Sequence, residues 1–515
     1  MFVFCQVLHL AALGLAQTLS SSSAITSVSL SSVSQQTSTI SSSPISSAQA
    51  PNSTSTSADL SNSTQIPSSN DTSIDNTNAQ WSIFSPELSL PEAVFHAPTF
   101  DEPTYEITYP LGDLIVSGLR PLVMAYYCGW LVDTLPPEKI DYSRYDIIDY
   151  AFVILDANYN LDFAGMDTDI LKRLVTCAHQ HGTKVKVSIG GWTGSAHFSS
   201  AVSNAKNRLQ VVQNIVDLYR QFNLDGIDID WEYPGRQANP GNEVNPADSA
   251  NYLELLRLLR SALPLKAKIT AAATPVPFAG SDGEPMDDVS AFAEVLDWVL
   301  IMNYDTWGTT SNPGPNAPLY DACKNSTLPA SSAAAGFNAW TKAGFPAHRL
   351  VLGLPSYGYI SRTSTTHLRS RAKQTSLTFR QESDSDQSPS EDTDVDAAAS
   401  RANIQLKSDE DNKDQGTISL RSMLKQGALV ITKDKKEVTG AGGFTVHWDD
   451  CSGTPYLRSS RTKQVVPFDN ARSIGMKASF VRQTEMRGVN FWDLQGDMVG
   501  SVLVNAARKA LGRSI

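Results

Sequence analysis

Between Leu119 and the C-terminus, eight short runs of β-branched and apolar residues recur, and most neighbouring runs are separated by a stretch with apolar residues at three- and four-residue spacing. The runs are Leu122–Tyr127, Tyr145–Leu155, Lys184–Gly190, Leu224–Glu232, Lys268–Thr274, Val295–Tyr304, Leu350–Pro355 and Gly488–Trp492. The amphipathic stretches include Asp167–His181, Ala205–Phe222 and Ala247–Leu263. This alternation predicts an α/β fold, and its eightfold repetition predicts a closed parallel TIM (β/α)8 barrel rather than an open sheet. Such a barrel carries its chemistry at the C-terminal ends of its strands, so functional residues are expected where these runs end.

The rhythm breaks between the seventh and eighth runs, where over a hundred residues intervene. The segments ISLRSMLKQGALV and GGFTVHWDDCSGTPYL are apolar enough for a small α+β insertion over 360–470. Within it, Gln381–Gly416 sets eleven acidic residues against three basic ones and reads as a solvated, disordered acidic loop over 381–416. That loop accounts for most of the formal charge of -12.

Ahead of the barrel, residues 1–16 (MFVFCQVLHLAALGLA) join an apolar run to a small-residue exit, as a secretory signal does. Residues 17–80 read as a stalk: more than half of Thr18–Asn78 is Ser or Thr, and Asn52, Asn62 and Asn70 are glycosylation acceptors. Such a tract buries too little apolar surface to offset its ordering entropy. An N-terminal extension over 81–120 leads into a barrel over 121–515, and the expected location is extracellular or at a cell wall. No Lys or Arg precedes Arg120, which argues against a basic nucleic-acid-binding arm or membrane patch. No other segment approaches the roughly 20 apolar residues that span a bilayer. The expected partner is uncharged and the expected state a monomer. Of the cysteines after the leader, Cys323 and Cys451 lie in polar, loop-like sequence and are the expected disulfide, while Cys128 and Cys177 read as buried thiols.

The fourth run carries the chemistry. In Leu224-Asp-Gly-Ile-Asp-Ile-Asp-Trp-Glu-Tyr-Pro-Gly235, a strand's two-residue period points Asp228, Asp230 and Glu232 one way and Ile227, Ile229 and Trp231 the other. Carboxylates crowded inside a barrel repel, so at least one is expected to hold a proton at neutral pH, and Glu232 at the end of the run is best placed for it. A protonated acid at a barrel mouth suits glycosidic bond cleavage, because the leaving oxygen must receive a proton as the bond breaks. The ordinary retaining route adds a carboxylate nucleophile about 5 Å away. Same-face neighbours on one strand stand roughly 6 to 7 Å apart, which brings Asp230 near the acid without deciding its role.

The pattern of Asp225, Asp228, Asp230 and Glu232 (DxxDxDxE) resembles the signature of glycoside hydrolase family 18, the chitinases. It is joined by Ser188-Ile-Gly-Gly-Trp192, with Gly190 and Gly191 in its turn, by Met302-Asn-Tyr-Asp305, and by Trp492, each at the end of a run. The resemblance extends from about Pro121 to Gly512 and is greatest to secreted fungal members. It implies chitin or chito-oligosaccharides as partners and a substrate-assisted mechanism in which the acetamido oxygen of the sugar is the nucleophile. Carried over to these positions, it implies that Glu232 is general acid and then base, that Asp230 turns between Asp228 and the acetamido group and stabilises the charged intermediate, and that Asp228 shares the proton and tunes Glu232. Tyr304 would donate to the acetamido oxygen and Trp492 would floor the distorted sugar. Tyr126, Phe152, Gly191, Trp192, Tyr233, Met302, Asp305 and Tyr357 match cleft-lining positions. Tyr359 stands where many relatives place an arginine, so one polar contact to substrate is missing from the pattern.

Trp192, Trp307 and Trp492, at or just after strand ends, are expected to stack on sugars, whereas Trp231 and Trp298 are expected in the core. The glycines of Ser188-Ile-Gly-Gly are expected to allow close approach by a ligand. No His and Cys cluster has metal spacing and no Gly-rich phosphate loop follows a strand, so neither metal nor cofactor is expected. Two other activities fit the same motif: an endo-β-N-acetylglucosaminidase acting on N-glycans, and a non-catalytic chitin-binding lectin. The presence of Glu232 argues against the second.

Overall fold

The structure, a computed structural model, describes residues 120–324, 326–368, 404–410 and 416–514. The leader, the stalk, nearly all of the N-terminal extension and most of the acidic loop lie outside the described residues.

Eight strands close the barrel: β1 (Leu122–Cys128), β2 (Ile147–Leu155), β3 (Lys184–Gly190), β4 (Gly226–Asp230), β5 (Lys268–Ala273), β6 (Trp298–Ile301), β7 (Leu350–Pro355) and β8 (Gly488–Trp492). Each pairs in parallel with the next, and β8 pairs back onto β1. The expected α/β barrel is the fold found. The two-residue period divides its apolar side chains into two cores. Outward residues such as Ile227 and Ile229 join the large core shared with the helices, and inward Met124, Tyr126, Trp298, Leu300 and Val351 form a smaller one inside the barrel.

The helices form where apolar spacing and caps agree. In α1 (Thr168–Gln180), Ile170, Leu171, Leu174 and Ala178 are buried, and the Asp167 carboxylate accepts from the Asp169 amide at 2.8 Å. The Asn204 side chain accepts from the Asn207 amide to cap α2 (Ala205–Gln221). A cap of this kind contributes about 1 kcal/mol. In α3 (Asp248–Ala262), Tyr252, Leu255 and Leu259 are buried. The β1–β2 connection departs from the pattern and holds only 3-10 turns, at Gly129–Leu131, Pro137–Lys139 and Tyr142–Arg144. Pro136 and Pro137 in its middle deny an α-helix two amide donors.

Two expected strands end early. The fourth run was expected to extend from Leu224 to Glu232, but β4 stops at Asp230, and the sixth, expected over Val295–Tyr304, stops at Ile301 and also starts late, because Val295 closes a short helix, Ser290–Val295; the fifth falls short of Thr274 by that one residue. Glu232 and Tyr304 therefore sit past the strand ends, on chain that has left the sheet, where side-chain contacts rather than ladder bonds hold them.

The insertion after β7 is α+β as expected. Segments Ser361–Arg362, Gln464–Pro467, Thr454–Ser459 and Thr445–Asp449 form an antiparallel sheet in that order, accompanied by the helix Leu420–Lys425 and the hairpin of Leu429–Ile431 with Val438–Gly440. Cys323 and Cys451 are joined by a disulfide, Cα–Cα 5.3 Å, tying the chain after β6 to this insertion, while Cys128 and Cys177 are buried. Residues 404–410, read from sequence as part of the disordered acidic loop, are instead pinned to the insertion. The Leu406 amide and carbonyl bond the Gln464 side chain at 2.9 and 2.8 Å, and Asp409 accepts from the Ser419 amide. The alternation Ile404-Gln-Leu406 supplies the apolar anchors that the charge count hides.

Candidate active site

The acids of β4 enter the barrel interior as its period requires. Asp228 lies deepest and is surrounded by hydroxyl donors: Tyr126 of β1 at 3.0 Å and Ser188 of β3 at 2.9 Å to Oδ2, and Thr270 of β5 to Oδ1. Three such donors hold this carboxylate in place. One turn of the period nearer the mouth, Asp230 is also buried, but its Oδ1 has no hydrogen-bond partner. Burial first, then the charges of Glu232, Asp228 and Asp149, push its pKa well above the ordinary carboxylate range. A buried acceptor left open in this way is where a substrate donor would fit.

Glu232 is 9% exposed, and burial pushes its pKa up to about 7, with a hydrogen bond from Tyr233 opposing and the charge of Asp305 adding to the rise. Its backbone is fixed on both sides: the amide donates to Ser195 Oγ at 2.9 Å, and the carbonyl accepts from Asn242 Nδ2 at 3.0 Å. The Ser195 hydroxyl shares its one hydrogen between the Gly191 carbonyl at 2.8 Å and the Asp230 carbonyl at 3.2 Å, so one hydroxyl touches the segment that carries both acids. Tyr304 faces the same acids, and burial, then Asp230, Asp305 and Glu232, raise its pKa, which keeps its hydroxyl a donor. Gly353 of β7 makes room for it, since a Cβ there would stand 2.8 Å from the Tyr304 ring.

Around the acids lies an aromatic floor. Trp492 stacks on Phe152 (centroids 5.5 Å, planes 22° apart) and meets Tyr126 edge-on at 5.2 Å. Trp130 stacks against Phe152 at 6.1 Å and is 43% exposed. Pyranose rings pack their C–H faces on such planes, so the site can hold a neutral sugar without charge. Met302 and Tyr233 complete the wall of this inner cluster. Asp305 is exposed, and its Oδ1 accepts the hydroxyls of Tyr357 and of Tyr359, the latter at 2.6 Å. Tyr359 thus bonds an acid at the position where the resemblance led one to look for an arginine.

The other expected residues fall further out. Trp192, 42% exposed, follows β3, and Trp307 lies half-buried beside Gly314. Asp225 lies outside the cleft, at the opposite end of β4, where Oδ2 takes the Val185 amide at 2.9 Å and faces His179 Nε2 at 2.8 Å. The glycines of the Ser188 motif serve a purpose different from the one expected. A Cβ on Gly190 would collide with the Asp230 carbonyl, and one on Gly191 would stand 2.7 Å from the Phe152 ring. Protein makes a close approach at both positions. Trp231 and Trp298 are buried, Trp231 stacked on Phe198 at 5.2 Å.

Sequence reasoning missed Trp130, Thr270, Ser195 and the inward pair Asp149 and Lys186. Trp130 could have been found by the strand-end criterion used for the other tryptophans, and Asp149 and Lys186 as charged residues at inward positions of otherwise apolar strands. Ser195 and Thr270 carry no comparable signal. Among the described residues, no group of three or more His, Cys, Asp or Glu side chains could hold a metal ion.

The sequence pattern described as Glycosyl hydrolases family 18 matches residues 122–497. The chain is 35% identical over 392 residues to a chitinase-like effector of Moniliophthora roreri, covering 76% of this chain and 93% of that protein. It is 28% identical over 323 residues to chitinase A1 of Niallia circulans, covering 61% of this chain and 40% of that one. Among solved structures it is similar to the chitinase RmChi1 of Rhizomucor miehei, with a TM-score of 0.62 and 29% identity, covering 76% of this chain and 99% of the other.

Proposed function

The chain belongs to glycosyl hydrolase family 18, and from that premise we propose that it is a secreted chitinase that cleaves β-1,4-linked N-acetylglucosamine polymers with retention of configuration. The observation that carries this reading is the buried Glu232 with its pKa near 7, beside an Asp230 oxygen that has no protein partner. In the first step the Glu232 carboxyl gives its proton to the glycosidic oxygen, the bond from that oxygen to the anomeric carbon breaks, and the acetamido oxygen attacks the same carbon. Asp230 turns from Asp228 to accept the acetamido N–H and face the oxazolinium-like charge, while the Tyr304 hydroxyl donates to the acetamido oxygen. In the second step Glu232, now ionised, takes a proton from water, which opens the oxazolinium ring from the face the leaving sugar vacated. Two displacements at one carbon give net retention. Trp492 and Phe152 supply the apolar surface under the reacting ring.

The name chitinase-like effector, borne by a relative with intact overlap across the barrel, favours one alternative, a sugar-binding protein without turnover. Incubation with chitopentaose and with a high-mannose glycoprotein, followed by time-resolved anomer analysis, tests the reading. Shorter chito-oligosaccharides that first appear as the β-anomer, with the glycoprotein untouched, are expected. Release of N-glycans instead, initial α-anomers, or binding without any new reducing ends would overturn it.

A further inference from the structure

Lys186 stands on β3 two residues before Ser188, shares its inward direction, and is 1% exposed. A buried ammonium is tolerated only when acceptors surround it. Its Nζ lies 3.1 Å from Asp149 Oδ1 on β2 and 3.7 Å from Asp228 Oδ1 on β4, donates to Thr270 Oγ1 on β5, and sits 4.9 Å from the Trp298 ring centroid on β6. Asp149 is held in turn by Asn490 Nδ2 of β8 at 2.8 Å. Other titratable groups beside this cluster are Tyr126 of β1, which donates to Asp228, Asp230 above it, and Tyr252 of α3, which feels the charges of Asp228 and Asp230. From β7, apolar Val351 belongs to the same inner core as Trp298.

Counting hydrogens gives this chain of contacts a direction. An ammonium has three donors and no acceptor. The Thr270 hydroxyl, accepting from Lys186, must therefore place its single hydrogen on Asp228. Asp149 anchors the ammonium from the far side, so the positive charge cannot swing away. The proposed mechanism needs such a device, since Asp228 is left with a buried negative charge when Asp230 turns away toward the acetamido group.

We propose that Lys186, locked by Asp149 and acting through Thr270, is a positioning residue that holds this charge on Asp228, so that Asp230 leaves with the proton the two acids share. The inference rests on the reading of Asp228, Asp230 and Glu232 as glycosidase machinery.

The double variant Lys186→Met/Asp149→Asn removes both partners of the buried pair and strands no charge, which separates function from folding. Its kcat on chitopentaose is expected to fall at least about tenfold with KM changed by less than about twofold, as for an interaction used after binding. The acid limb of its kcat–pH profile is expected to move up by about one pH unit, because Asp228 loses the ammonium 3.7 Å away and the ordering of the Thr270 donor, which outweigh the opposite effect of removing the Asp149 anion beyond that ammonium. A folded double variant with the wild-type kcat and the wild-type limb would overturn the proposal. Should it fail to fold, Thr270→Val, which leaves the ion pair in place but removes the hydroxyl donor from the charged form of Asp228, carries the same two expectations and the same refutation. Absence of turnover by the wild-type chain would overturn the functional reading and this inference together, whereas an active wild type with an unmoved limb in the variant overturns the inference alone.

Discussion

Replacement of Glu232 by Gln should lower kcat on chito-oligosaccharides by about a thousandfold, the upper part of the range for a general acid, and leave oligosaccharide binding intact. Gln keeps the shape of the side chain but has no proton to give in the first step and no base to offer in the second. Ser195 and Asn242 hold the backbone of residue 232, and the Gln side-chain oxygen can still accept the hydrogen bond that Tyr233 makes to the carboxyl. The same substitution should stabilise the fold at neutral pH. The folded pKa of Glu232, about 7, lies above its ordinary value of 4.5, so the native state binds this proton more tightly than the unfolded chain does. Stability contributed by the protonated form is fully present below the unfolded value and is lost as pH rises through the folded one. A neutral Gln escapes that loss, which is on the order of 3 kcal/mol at most. A melting temperature that rises on substitution above pH 7 and converges with wild type below pH 4.5 is the expected signature. Full activity in the variant would remove Glu232 from the chemistry.

Asp230→Asn should lower kcat by about a hundredfold or more while KM changes little, the size of loss seen when a group aimed at developing charge is removed. Asn is nearly the same shape and can still meet the acetamido group, but it has no acidic proton to share with Glu232 once that residue ionises, so it carries none of that negative charge to the oxazolinium-like intermediate. A variant in which KM rose and kcat held would mean that Asp230 only binds sugar.

The barrel was legible because its signal is repeated: β3, β7 and β8 begin and end at the residues the apolar runs mark. The acids were legible because the period of two is strict, and Asp228 and Asp230 face inward while Ile227 and Ile229 face the helices. What the sequence could not supply was the behaviour of the chain beyond a strand end, where periodicity no longer applies. Glu232 and Tyr304 were therefore drawn into strands they have already left, and the hydroxyl of Ser195, distant in sequence, was invisible as the support of Glu232. The glycines after β3 were read correctly as sites of close approach but assigned to a ligand, because only the fold reveals that the Asp230 carbonyl and the Phe152 ring come so near. Residues 404–410 show the converse error, where local charge outweighed a short apolar alternation.

A buried Glu232 that keeps its proton in a large share of molecules near neutral pH is the claim on which the mechanism depends, and carboxyl NMR reads it directly. In the chain labelled with 13C at glutamate side chains, the signal lost on Glu232→Gln substitution identifies this carboxyl. The account predicts that it titrates near 7, and a midpoint at the ordinary value of 4.5 would contradict it.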